Sequence, residues 1–132
     1  MAQFWGQIGS IHAIYGERVL PLLIVIAAIW FTVTWKAGST RTMPMRIFPV
    51  LVDMQAGLGI LYWVYLISVG VPYMLQFPFI LHPILGVLAA GLAHMAVGKR
   101  NPVAALGRWS PLASMGVLLV IVLSAVVIST SN

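Results

Sequence analysis

Residues 110–129 read SPLASMGVLLVIVLSAVVIS, a stretch without one ionisable side chain. A helix of about 20 apolar residues, rising about 1.5 Å per residue, crosses the ~30 Å of hydrocarbon in a bilayer. Three more runs of the same kind precede it, at 10–35, 47–70 and 78–98. What remains is a short N-terminal tail and three brief connections, too little for a separate soluble domain. The prediction is an all-α integral membrane protein, one domain over residues 1–132. Short connections make consecutive spans antiparallel neighbours, so the expected architecture is a four-transmembrane-helix up-down bundle.

Composition agrees. The chain is 61% hydrophobic and 7% charged with no cysteine, far from the roughly 25% charged residues of a soluble domain. Disulfides and thiolate ligands are excluded. The net charge of +5 does not mark a nucleic-acid binder, because the cations sit in connections between spans. Lys36, Arg41 and Arg46 lie between runs one and two, and Lys99, Arg100 and Arg108 between runs three and four. Lys and Arg concentrate in cytoplasmic loops, so 36–46 and 99–108 are expected in the cytoplasm and both termini outside. The N-terminus lacks the basic region and small-residue cleavage site of a secretory signal, so the first run is expected to be retained. Trp5 and Tyr15 on one side and Trp30 and Trp35 on the other fit interfacial aromatic belts.

Pro21 in run one either kinks the helix or is accommodated by neighbouring groups. Gly57 and Gly59 in run two, with Gly86, Ala90, Ala93 and Gly98 in run three, have the small-residue character of close helix packing. The same gaps would also admit a flat cofactor. Seven methionines are scattered through spans and loops, which argues for packing rather than metal handling.

Ionisable residues inside spans are functional candidates by default. Asp53 near the start of run two and His94 near the end of run three fall at similar depth on antiparallel neighbours, which predicts a buried pair near the cytoplasmic face. That pair is either a structural hydrogen bond or, with Gln55, a quinone-contacting or proton-handling group. His12 and His82 fall near the outer ends of runs one and three. Two imidazoles at one level on different helices can hold a haem iron from both sides, or can be an interfacial residue and a helix-entry residue. His82 and His94, twelve residues apart, are separated by about 18 Å along one helix and cannot share a site. Arg18 either snorkels to head groups or meets a haem propionate. No phosphate loop, zinc motif or nucleophile elbow is present, so the chain is not expected to act as an enzyme by itself.

Ile11-His12, Asp53-Met54-Gln55 followed by Gly57 and Gly59, His82-Pro83 and Ala93-His94 resemble small bacterial four-helix cytochrome b-like membrane proteins, related in architecture to the cytochrome b561 type. The resemblance covers residues 10–100 and implies a bacterial inner-membrane electron carrier with b-type haem, working with quinone. Proteins of the b561 type usually carry two haems on four histidines. With three histidines, this chain departs from that pattern and supports at most one haem. The alternative expectation is a non-catalytic accessory subunit of a respiratory or photosynthetic membrane complex, binding lipid, quinone or pigment and packed against other membrane subunits.

Overall fold

The computed structural model describes residues 1–38, 41–98 and 101–131. Lys99 and Arg100, on which part of the expected orientation rests, lie outside the described residues. Among those described, the chain is all-α and forms four helical rods, three of them long and apolar enough to cross a membrane. It is a multi-pass integral membrane protein.

The first rod joins α1 (Ala2–Ile14), a π-helical turn (Tyr15–Val19) and α2 (Leu20–Val33). Its 32 residues extend about 48 Å, and it starts at Ala2, well before the expected boundary at residue 10. Pro21 explains the wide turn. A proline lacks the N–H that would bond four residues back, and its ring crowds the carbonyl there. Here the Leu20 N–H reaches back five residues to the Tyr15 carbonyl. Pro21 is thus accommodated by a local change of helical pitch, of a kind common at functional sites.

The second rod is α3 (Met43–Ser68), with Pro44 in its opening turn and Pro49 buried further in. The third, α4 (Leu81–Ala96), has only 16 residues. It rises about 24 Å, short of a bilayer core, and does not fill the expected run 78–98. Residues before it are taken by a 3-10 turn (Pro72–Leu75) and bends. Pro83 fits because the first turn of a helix needs no internal N–H partner. Trp63 Nε1 donates to the Met74 carbonyl at 2.9 Å and ties this irregular segment to α3. A short 3-10 segment (Ala104–Trp109) with Gly107 at φ 60° leads into α5 (Ser110–Thr130). A positive φ there suits glycine, which has no Cβ to clash.

Helices consecutive in the chain run antiparallel. Phe31 meets Phe48 while His12 meets Gly59. His94 meets Asp53, and His82 meets Ala125 while Asn101 meets Ser114. The first rod also packs on α5, which closes the bundle. Asn101 fixes the turn between α4 and α5, donating to the Ala96 carbonyl and accepting from the Val103 N–H and the Ser114 hydroxyl.

Ile24, Ala27, Ala28, Phe48, Val52 and Leu118 are in the core, with Ala89 and Ala93 on α4. In lipid the hydrophobic effect does not distinguish this interior from the exterior, so close packing and interhelical hydrogen bonds hold the rods together. Of the small residues singled out in the sequence, Ala93 and Gly59 do this, Gly59 by admitting His12. Gly57 is exposed and Gly86 borders a cavity, while Ala93 is fully buried. Large apolar side chains such as Leu22, Ile29, Leu61, Val120 and Val127 point outward and are more than half exposed, as lipid-facing residues are.

Candidate functional site

A cavity of about 370 Å³ opens between the four rods in the half of the bundle that holds the α1 and α5 ends farthest from the basic loops. Its size falls within the ~300–1,000 Å³ of ordinary ligand sites. His12 on α1 and His82 on α4 both line it. Their ring centroids are 5.9 Å apart and their planes nearly perpendicular, at 87°. The chain therefore brings these two histidines to one level, as their positions along the helices predict.

Each imidazole is set by a neighbour. His82 Nδ1 lies 2.7 Å from the Ala125 carbonyl oxygen on α5. A carbonyl can only accept, so Nδ1 carries a proton, and in the neutral ring Nε2 then bears the lone pair. This is the tautomer that leaves Nε2 available to a metal. Phe79 stacks beside the same ring, with centroids 5.6 Å apart. His12 packs against Gly59 of α3, where an added Cβ would come within 2.5 Å of its Cε1. The His12 main-chain carbonyl, next to the π-turn, accepts from Gln55 Nε2 at 2.9 Å.

Two further glycines serve the same interface. A Cβ at Gly16 would collide with the Gln55 amide, and one at Gly9 would come within 2.5 Å of the Tyr62 ring. Gly9, His12 and Gly16 share one face of the first rod, and Gln55, Gly59 and Tyr62 share one face of α3, each set at steps of three or four residues. The two faces interlock, small residue against polar side chain. Within this interlock His12 Nδ1 and Gln55 Oε1 are buried without a hydrogen-bond partner. Buried polar atoms are nearly always satisfied, so these two atoms are available to a group bound in the cavity.

The expected grouping of Gln55 with Asp53 and His94 is not observed. Residues two apart on a helix differ by about 200°, so Gln55 turns to the cavity and Asp53 turns away from it. Asp53 does pair with His94, Oδ2 to Nε2 at 2.7 Å. The pair is not buried as expected, since the side chains of His94 and Asp53 remain 54% and 44% exposed on the outer α3–α4 seam. Arg18 is exposed and does not border the cavity, whereas Glu17 does. A step of one residue turns the helix by about 100°, which puts these neighbours on different sides.

Among the described residues no three or more His, Cys, Asp or Glu side chains converge as a metal site. Any metal at the cavity would rest on two imidazoles and its own further ligands. No family model, no curated protein and no solved structure matches the chain.

Proposed function

We propose that this chain is a membrane subunit of an electron-transfer system that holds one b-type haem between His12 and His82 and exchanges electrons with a membrane quinone. The observation that carries the reading is the opposition of these two imidazoles, 5.9 Å between centroids, across a cavity lined by small and apolar residues. Metal–imidazole bonds of about 2.0–2.1 Å, with about 1.1–1.2 Å from nitrogen to ring centre on each side, put two rings on opposite sides of one ion roughly 6.4 Å apart between centroids, so the two rings would have to separate by about half an ångström to take it. The two unpartnered polar atoms beside His12 and the fixed tautomer of His82 also fit a group between the rings. A bound haem supplies a one-electron couple. This chain supplies the two ring nitrogens, the hydrogen bond from His82 to Ala125 and largely apolar walls.

The orientation belongs to the same proposal. In a bacterial cytoplasmic membrane the loops 36–46 and 99–108 face the cytoplasm, both termini face outward, and all four rods serve as spans, α4 being lengthened by its flanking turns. The outward faces favour company as well, because apolar side chains on every rod are open to lipid or to other membrane subunits.

The test is a dithionite-reduced minus oxidised spectrum of the chain purified in mild detergent, with co-purifying proteins identified in the same sample. A b-type spectrum from the isolated chain is expected. A colourless chain held in a large assembly would instead establish the second reading, a non-catalytic accessory subunit of a respiratory or photosynthetic complex.

A further inference from the structure

Among the described residues Asp53 and His94 form a carboxylate–imidazole pair between α3 and α4, and it sits on the outside of the bundle rather than within it. Asp53 lies seven residues beyond Arg46, about 10 Å further along α3, and is followed by apolar helix. A half-exposed carboxylate and imidazole at this depth are costly unless something polar meets them. Their mutual bond uses Asp53 Oδ2 and His94 Nε2. Among the described residues no second bond engages Oδ1 or Nδ1.

The surface next to the pair is cut away. Gly57 follows Asp53 by one turn and Gly91 precedes His94 by one turn. Because α3 and α4 are antiparallel, both glycines lie on the same side of the pair, toward the bilayer centre. Both are exposed, and neither has any atom within 4 Å of where a Cβ would stand. Met54 and Val87 flank this trough, each 55% exposed. A polar head position therefore opens onto a shallow apolar track.

We infer that the α3–α4 seam at Asp53 and His94 binds the head group of a membrane quinone, with the isoprenoid tail lying over Gly57 and Gly91; this deepens the electron-transfer reading and rests on it. The ligand class follows from the donors and acceptors. Oδ1 accepts a hydroxyl of the reduced head, and Nδ1 accepts a hydroxyl when neutral or donates to a carbonyl when protonated. A phospholipid phosphate would meet the Asp53 carboxylate with like charge and is disfavoured. Val52 and Ala56, close to Asp53 on α3, and Val87 on α4 border the histidine cavity, so the seam adjoins that cavity.

The test is saturable binding of decylubiquinone to the full chain in phosphatidylcholine nanodiscs. Asp53→Asn and His94→Leu are expected to weaken binding about tenfold or more, as loss of a charge-assisted hydrogen bond does. Gly57→Leu fills the trough without touching the pair and is expected to weaken binding as well, which guards against a folding defect in the polar variants. Unchanged affinity in Asp53→Asn and Gly57→Leu, or unsaturable partition in the wild type, would overturn the inference. Spectra of the same samples keep the two proposals apart. Coloured variants that bind quinone like the wild type overturn this site alone, and a colourless wild type whose quinone binding is lost in Asp53→Asn overturns the haem alone.

Discussion

His82 on α4 donates from Nδ1 to the Ala125 carbonyl oxygen on α5 across 2.7 Å, so one ring both ties two helices together and keeps its Nε2 free. The two tasks are separable by substitution. His82→Asn keeps a donor near the place of Nδ1 but has nothing at the place of Nε2. Its thermal stability in detergent should stay within about 1 kcal/mol of the wild type, while the Soret band disappears. His82→Ala should lose both. A Soret band retained in His82→Asn would remove His82 from the ligand set.

Gly59 and Gly57 give a paired test of how the site is shaped. Alanine at Gly59 forces the His12 ring to move, since its Cε1 is 2.5 Å from the new methyl position, whereas alanine at Gly57 meets open space. Gly59→Ala should reduce haem occupancy severalfold with the helices still assembled. Gly57→Ala should leave the spectrum unchanged and be neutral or stabilising by less than about 1 kcal/mol, as expected for glycine replaced in a helix. Absorbance per chain after size-exclusion chromatography measures both.

Gln55→Leu removes the donor that reaches the His12 carbonyl and leaves that oxygen, beside the π-turn, without its interhelical partner. Interhelical hydrogen bonds in membranes contribute roughly 0.6 to 2 kcal/mol, so a loss of about 1 kcal/mol is expected in a steric-trap or denaturant assay. Because Gln55 also neighbours His12 through Gly16, the haem spectrum should broaden or weaken in the same variant. Full stability with an unaltered spectrum would show that Gln55 does not position His12.

The spans were legible in the sequence because hydropathy over about 20 residues reports the bilayer directly. The short α4 was legible only in part: Pro72, Pro78 and Pro83 favour a bent or interfacial entry on the outer side, but hydropathy cannot say where in this apolar stretch the helix begins. His12 and His82 were found by counting depth along antiparallel rods, a calculation that needs only the rise per residue. Gln55 was placed with Asp53 by proximity in sequence, although their two-residue spacing already sets them on opposite faces. The interlock of Gly9 and Gly16 with Tyr62 and Gln55 was present as helical spacing around His12, yet which rod it faced depended on tertiary packing.

The absence of cysteine allows orientation to be read from single introduced thiols. Ala37→Cys and Ser131→Cys both fall at exposed positions near opposite ends of the bundle. In intact cells a membrane-impermeant maleimide should label Ser131→Cys and not Ala37→Cys, with Ala37→Cys labelled only after the membrane is opened. The reverse pattern would invert the orientation proposed from the basic loops.

The most direct measurement is the haem-to-chain ratio, taken by pyridine haemochrome on the purified wild type and on the His12→Ala and His82→Ala variants, each reconstituted with haemin under the same conditions. One haem b per chain is expected in the wild type and little or none in either variant. A wild type that takes up no haem, or variants that hold it at the same ratio, would contradict the assignment of His12 and His82 as a haem site.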